Sequence, residues 1–341
     1  MRYEDAGVHL EAAAEAKRRI EAALERAKTA EVLAGVGAFA GAFDAAALTG
    51  LDAPVLLAST DGVGTKTLLA ARFRRYRGLG FDLVNHGVND LLAAGGRPLF
   101  FLDYLAADRL DPAAVAELVE GIAAAAAAAR MPVLGGETAE MPGVYCAGAL
   151  DVAGTIVGFA DRARLPEPAR VRAGDRVLAL PSSGLHTNGY SLARKVVEGE
   201  DLETSREELG GRSLLDALLE PHKSYLPAWE KLEEAGLLPK VAAHITGGGV
   251  YGNLPRVLPA GLGARIRRGS WPEPPIFAWL ARRGEIPPGE LFRTFNMGLG
   301  MLLIYDPERA QRAQALLEEA YLVGEVVEGA GVRVEGAGGA A

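Results

Sequence analysis

A polar segment, Ser59–Thr67, follows directly on the apolar run Pro54–Ala58. The apolar run is typical of a buried strand. The polar segment carries a carboxylate, two glycines, several hydroxyls and an ammonium, a set that suits a Mg-nucleotide because carboxylates hold hard cations and glycines let backbone N–H groups approach phosphate. Asp-Gly is also an ordinary turn signal. From this segment alone, a nucleotide site and a tight turn both remain open.

Four further polar clusters sit within or at the ends of apolar runs. Asn89 and Asp90 lie in an apolar helical stretch, and Asp103 ends the run Pro98–Leu102. Glu137 follows a strand and two glycines, which again gives backbone freedom beside an oxygen ligand. His186 and Asn188 lie in a glycine-punctuated loop before a helix. Caps and solvated charges are the alternative interpretation of the acidic residues.

A glycine-rich loop, Thr246–Gly252, fits the pattern Gly-x-Gly-x-x-Gly and precedes a predicted helix at 254–258. No acidic residue follows at the spacing that a dinucleotide fingerprint requires, so a phosphate-binding turn is the better interpretation. The spacing around Lys66 does not match a Walker loop either.

The pattern of apolar residues predicts an α+β chain with two domains. Leu165–Asp175, with its prolines and charges, is the predicted linker. Asp111 and Pro112 predict a helix start, as N-cap and first helical residue. The other predicted elements are helices at 9–28, 68–72, 81–95, 189–198, 223–235 and 307–320, and strands at 31–39, 54–58, 131–134, 152–159, 176–180, 262–267 and 299–305.

Composition narrows the class of protein. The net charge is −8 without a basic stripe, which argues against nucleic acid as a partner. No apolar run is long enough to span a membrane and no secretory signal is visible, so we expect a cytoplasmic protein. Cys146 is the single cysteine and the five histidines lack zinc-like spacing, so any metal is expected to be bound by oxygen.

Eight motifs together carry a resemblance over nearly the whole chain. In order, they are Tyr3–Val8, Thr60–Lys66, Val88–Asp90, Pro98–Tyr104, Gly135–Gly143, Ser182–Ser191, Thr246–Gly249 and Arg293–Asn296. This set strongly resembles the phosphoribosylformylglycinamidine cyclo-ligases, or aminoimidazole ribonucleotide synthetases. His9 and Asn85–Gly87 depart from the pattern expected of that family.

The resemblance implies a ring closure that uses ATP and Mg²⁺. The formamide oxygen of formylglycinamidine ribonucleotide would attack the γ-phosphate, and the amidine nitrogen would then attack the activated carbon and expel phosphate. His186, Lys66 and Asp103 are the expected catalytic residues. Asn188, Thr246, Gly247, Gly248 and Gly249 would bind substrate. The nucleotide side would use Asp61, Gly62, Gly64, Thr65, Lys66, Lys28, Asn89 and Asp90, and the metal Asp61, Asp103 and Glu137.

The resemblance also implies an architecture. Residues 1–168 would form an N-terminal domain with a mixed sheet that binds ATP and forms a homodimer. Residues 169–335 would form an α/β sandwich that completes the substrate site, and residues 336–341 a disordered tail. Related activities remain as alternatives, namely selenophosphate synthetase and thiamine-monophosphate kinase. The first is disfavoured because no reactive cysteine precedes Asp61. A nonenzymatic nucleotide-binding scaffold and a dinucleotide oxidoreductase are weaker alternatives.

Overall fold

The helix start predicted at Asp111 is present in the fold. The Asp111 carboxylate accepts hydrogen bonds from the backbone N–H groups of Ala113 and Ala114, and Pro112 occupies the first helical position, where no N–H is needed. The computed structural model describes residues 10–336. The motif Tyr3–Val8, His9 and residues 337–341 of the predicted tail lie outside this range.

The chain divides into two units, which are described separately. Unit 1 comprises Met1–Leu91 and Gly95–Leu165, and unit 2 comprises Leu92–Ala94 and Pro166–Ala341. The elements up to residue 161 are α1 (Leu10–Leu24), β1 (Val32–Ala34), β2 (Ala42–Phe43), β3 (Pro54–Gly62), α2 (Lys66–Phe73), α3 (Arg77–Ala93), β4 (Arg97–Ala107), α4 (Pro112–Ala128), β5 (Val133–Glu140) and β6 (Leu150–Asp161).

Unit 1 is built on a four-stranded mixed sheet in the order β3-β6-β4-β5. The first two pairings are antiparallel and the β4–β5 pairing is parallel. Alternate residues of β6, such as Val152 and Ile156, are buried on the inner face, and α3 packs there, because a Cβ on Gly87 would touch Ile156. The outer face keeps apolar groups exposed, including Leu56 and Tyr104.

Unit 2 contains a six-stranded sheet in the order β10-β12-β7-β13-β11-β14, antiparallel except for the β11–β14 pair. Its elements are β7 (Arg176–Pro181), α5 (Tyr190–Val196), β8 (Ser205–Arg206), β9 (Arg212–Ser213), α6 (Leu214–Leu218), α7 (Leu226–Glu234), β10 (Val241–His244), α8 (Gly249–Asn253), β11 (Leu262–Arg267), α9 (Pro275–Arg283), α10 (Pro288–Thr294), β12 (Leu299–Tyr305), α11 (Pro307–Leu316), β13 (Tyr321–Glu328) and β14 (Gly331–Glu335).

Several predicted boundaries were wrong. β3 continues to Gly62, so Asp61 belongs to the strand and not to a loop after it. β5 likewise continues through the two glycines to Glu140. Of the predicted strand at 31–39, only Val32–Ala34 pairs. The glycine-rich loop enters α8 at Gly249, and the predicted helix at 254–258 is a short 3-10 turn. Strands β3 and β5 are longer than predicted because they pair with neighbouring strands, and the sequence does not reveal this pairing.

Together, the two units confirm the predicted α+β fold class, with a mixed N-terminal sheet and a C-terminal layer of helices and sheet. No helix of residues 10–336 is both long and apolar enough to cross a lipid bilayer.

Candidate active site

A row of four residues crosses the inner face of the unit 1 sheet. The strand pairings align Asp61 with Gly154, Gly154 with Asp103, and Asp103 with Gly136. Directly paired residues point to the same face of a sheet. The row therefore alternates carboxylate, glycine, carboxylate and glycine, with about 10 Å between the Cα atoms of the two aspartates, which are two strand spacings apart.

Asp103 is held tightly against a neighbouring strand. A Cβ atom on Gly136 would lie 2.0 Å from Asp103 Oδ1, so the carboxylate occupies the space that any side chain at position 136 would need. Burial raises the pKa of Asp103 to about 7, against an opposing effect from a hydrogen bond to its own backbone. The group therefore changes charge near neutral pH, which is common for carboxyls at functional sites.

Helix α3 places Asp90 and His86 near this row. Asp90 Oδ2 accepts a hydrogen bond from Ser59 Oγ at 3.1 Å, and His86 Nε2 lies 3.1 Å from Asp61 Oδ2 and 3.6 Å from Asp90 Oδ2. Burial of the ring opposes its charged form, but the hydrogen bond to Asp61 and the negative charge of Asp90 prevail and raise the pKa of His86. The sequence analysis gave His86 no role, although its i,i+4 spacing to Asp90 would have indicated a contact.

Lys66, a predicted catalytic and nucleotide-side residue, is held in a buried ion pair. Its side chain is fully buried, and its Nζ lies 2.7 Å from Asp82 Oδ2 and 2.8 Å from Asp82 Oδ1 on α3. Both charges of this pair are removed from water. The ion pair therefore joins α2 to α3, and the ammonium charge is already balanced by Asp82.

The other predicted residues of the nucleotide side lie around this core. Gly62 donates its N–H to Asp61 Oδ1 at 2.8 Å. Gly64 makes the turn into α2 with a φ of +70°, and no atom lies within 4 Å of the place that a Cβ would take there. Thr65 stands just before the first residue of α2. Asn89 is fully buried on α3.

Two predicted residues are not brought to this row. Glu137 pairs with Tyr104, so strand alternation puts it on the outer face of the sheet, opposite to Asp103. Lys28 forms an ion pair with Glu25 at 3.1 Å, just after α1. Their predicted roles find no added support in this geometry.

In unit 2, the predicted proton-transfer residue lies in a cluster of histidines. The His186 ring is almost completely buried and stacks on His222, with 3.8 Å between ring centroids, and His222 Nε2 lies 3.0 Å from His244 Nε2. His186 Nε2 accepts a hydrogen bond from Ser183 N–H at 3.3 Å. This geometry gives a neutral imidazole with its lone pair on Nε2. A φ of +62° at His186 is unusual for a residue other than glycine and is typical of functional sites.

The predicted substrate-binding residues of unit 2 come together. A Cβ on Gly247 would lie 3.1 Å from Asn188 Oδ1, so the Asn188 amide rests against the glycine-rich turn. Asn253 holds that turn in shape by donating hydrogen bonds to the carbonyls of Gly247 and Gly249. Thr246 hydrogen-bonds to Asn253 at 3.3 Å. Gly248 and Gly249 both have positive φ, and Gly249 has no room for a Cβ against Phe292.

Asn296 is a residue whose task the sequence analysis did not foresee. It is buried, donates a hydrogen bond to Gly184 O and accepts bonds from Ser182 Oγ and Gly298 N–H, all at 2.9 Å. These bonds join the loop that carries His186 to the start of β12. Asn296 ends the last motif of the resemblance, which was the available signal for this role.

The fold and the two sets of polar residues define a class of protein. Residues 24–160 match the AIR synthase related protein N-terminal domain, and residues 172–337 match the AIR synthase related protein C-terminal domain. A thiamine-monophosphate kinase from Stenotrophomonas maltophilia K279a has the same fold, with a TM-score of 0.69, 19% identity and coverage of 94% of this chain and 95% of that one. A hydrogenase maturation protein HypE solved in complex with ATP has a TM-score of 0.64, 21% identity and coverage of 89% and 84%.

Closer relatives specify the family. The chain is 48% identical over 338 residues to a phosphoribosylformylglycinamidine cyclo-ligase of Gloeobacter violaceus (strain ATCC 29082 / PCC 7421), covering 98% of this chain and 99% of the relative. The chain belongs to the phosphoribosylformylglycinamidine cyclo-ligase family, which confirms the resemblance. It is an ATP-dependent ligase that closes a C–N bond in purine biosynthesis.

Proposed function

We propose that Asp61 and Asp103 bind the Mg²⁺ that orders the phosphate groups of ATP during conversion of formylglycinamidine ribonucleotide to aminoimidazole ribonucleotide. The observation that supports this assignment is the row on the inner face of the sheet, where the two carboxylates alternate with glycines. Glycine at position 136 leaves room for the Asp103 carboxylate, whereas the Phe101 ring occupies the space over Gly154.

The residues of the row fit Mg²⁺. Its preferred ligands are carboxylate oxygens, which Asp61 and Asp103 supply, with Asp90 beside them. The imidazole of His86 faces the carboxylates of Asp61 and Asp90, and the ammonium of Lys66 is paired with Asp82. When bound, Mg²⁺ supplies the positive charge that phosphoryl transfer needs. The carboxylates of Asp61, Asp90 and Asp103 would hold this ion, and the turn at Gly64 leaves its backbone open to phosphate.

In this proposal, unit 2 binds the ribonucleotide substrate. Thr246 and the amides of Gly247, Gly248 and Gly249 hold its phosphate, and Asn188 contacts the substrate beside them. His186 transfers the proton of the amidine nitrogen as that nitrogen attacks the activated carbon. The support is the contact between Asn188 and Gly247, and the lone pair that His186 carries on Nε2.

The direct test is an assay with purified protein, formylglycinamidine ribonucleotide and Mg-ATP, in which aminoimidazole ribonucleotide is measured. We expect product in the wild type and a large loss of kcat in Asp103→Asn with the fold retained, because the amide cannot supply a negative oxygen ligand. An Asp108→Asn variant, at a loop position after β4, is the control and should remain active. Near-normal kcat in Asp103→Asn would refute the metal role of Asp103.

We propose that the N-terminal domain (residues 1–168) also forms a homodimer and that the C-terminal domain (residues 169–335) carries the substrate side. The support for the dimer is the outer face of the unit 1 sheet. Leu56 on β3 is 63% exposed and Tyr104 on β4 is 37% exposed, with Leu102 half-buried on the same face. Exposed apolar side chains on one face of a sheet favour association with another protein surface.

A cytoplasmic location is also proposed. Purine biosynthesis draws on cytoplasmic ATP, and the chain has a single cysteine, as expected of a protein that needs no disulfides. Fractionation of cells that express the full chain would test this location, and recovery with a secreted marker would refute it.

A further inference from the structure

We propose that His186, His222 and His244 form a binding site for a divalent transition metal such as Zn²⁺. One ring nitrogen of each residue lies within 4.8 Å of the others, and all three side chains are buried. Imidazole nitrogen is a preferred ligand of Zn²⁺ and Co²⁺, whereas Mg²⁺ prefers oxygen. The cluster therefore selects a different class of ion from the carboxylate row.

The distance between His222 and His244 fits this ion. Their Nε2 atoms are 3.0 Å apart. In a tetrahedral zinc site with Zn–N bonds of about 2.0–2.1 Å, two ligand nitrogens are separated by about 3.3 Å. A small increase in the distance between the two Nε2 atoms would therefore let the metal replace the proton that lies between them.

His186 completes the site from the loop after β7. Its Nε2 accepts a 3.3 Å hydrogen bond from Ser183 N–H. The ring now stacks on His222 with an interplanar angle of 18°, so its lone pair must turn toward the ion. Rotation about the last side-chain torsion of histidine is soft, which permits this adjustment.

Metal binding would have a consequence for catalysis, and this part rests on the proposed role of His186. A metal on His186 takes the lone pair needed for proton transfer. Zn²⁺ should therefore inhibit ring closure, and substrate and Zn²⁺ should compete for the unit 2 site. Binding itself does not depend on that role.

The test uses full-length protein freed of metal with a chelator and titrated with Co²⁺. We expect one Co²⁺ per chain with the intense visible absorption of a tetrahedral complex, displaced by Zn²⁺. His222→Gln and His244→Gln should each lose this absorption, while Lys223→Gln, next to His222 but in an ion pair with Glu319, should keep it. Absence of a tetrahedral band in the wild type, or its persistence in both histidine variants, would overturn the proposal.

A second measurement uses only the wild type, so it tests the site even if a histidine variant fails to fold. X-ray absorption of Zn²⁺-loaded wild type should show three imidazole ligands at about 2.0–2.1 Å. A shell without imidazole scattering overturns the site. If ring closure is not detected but the imidazole shell is present, the proposed catalytic role fails and the metal site stands.

Discussion

The charge of Asp103 depends on the strand beside it. Its carboxylate occupies the space over Gly136, where burial raises its pKa to about 7 from an ordinary value of 3.8. Small changes of pH near neutrality therefore change the fraction of Asp103 that is ionised. Binding of a cation would favour the ionised form. The position of this buried carboxylate therefore requires a glycine on the neighbouring strand.

Asp103 should make stability depend on pH. Below pH ~4 the carboxyl is protonated in both the folded and the unfolded chain. As pH rises toward 7, the unfolded chain loses the proton first while the folded chain retains it, so stability falls, and the full cost is present above pH 7. We expect the free energy of unfolding of Asp103→Asn to exceed that of the wild type by about 4 kcal/mol at pH 8, and by little at pH 4.

Urea unfolding at several pH values, with metal removed, measures this difference. Asp108→Asn is again the control, since it should track the wild type throughout. A gap between Asp103→Asn and the wild type that stays constant with pH would contradict the assignment.

Lys66 should matter for stability more than for phosphate contact. Lys66→Met leaves the buried Asp82 carboxylate without its partner charge, which we expect to cost about 3–5 kcal/mol. The double variant Lys66→Met/Asp82→Leu should recover most of that loss, because it removes both buried charges. Denaturant unfolding measures stability, and the ring-closure assay measures function. Activity that stays lost in a stable double variant would show instead that Lys66 serves the reaction directly.

At the scale of elements, the sequence predicted those helices and strands whose boundaries depend on residues close together in the chain. The Asp111 cap with Pro112 predicted the start of α4, and the apolar run 299–305 coincides with β12. Pairing between distant strands was not visible. Asp61 was predicted in a loop, although it lies in β3, and the shared row with Asp103 depends on register. The His186 cluster was likewise hidden, because His222 and His244 come from separate segments.

Strand β5 offers a test of the row. Gly136→Ala would place a Cβ 2.0 Å from Asp103 Oδ1 and 2.7 Å from its carbonyl oxygen, so the carboxylate must move. We expect a large loss of kcat. Gly135→Ala is a matched control on the same strand, since its Cβ would meet only Leu102 at an ordinary 3.6 Å and should leave kcat nearly unchanged. Equal kinetics for the two variants would show that the position of Asp103 is not important.

At the scale of the whole molecule, the proposed dimer would use the outer face of the unit 1 sheet. Leu56→Glu would put a charge on that exposed apolar face, and burying it in an interface without a partner is costly. We expect wild type to have the mass of two chains by light scattering, and Leu56→Glu that of one. Leu316→Glu on α11, another partly exposed leucine, is the control and should stay dimeric. A monomeric wild type, or a dimeric Leu56→Glu, would exclude this face as the interface. If the variant dissociates with its fold intact and ring closure falls with it, the second copy is needed for the nucleotide side of the reaction as well as for assembly.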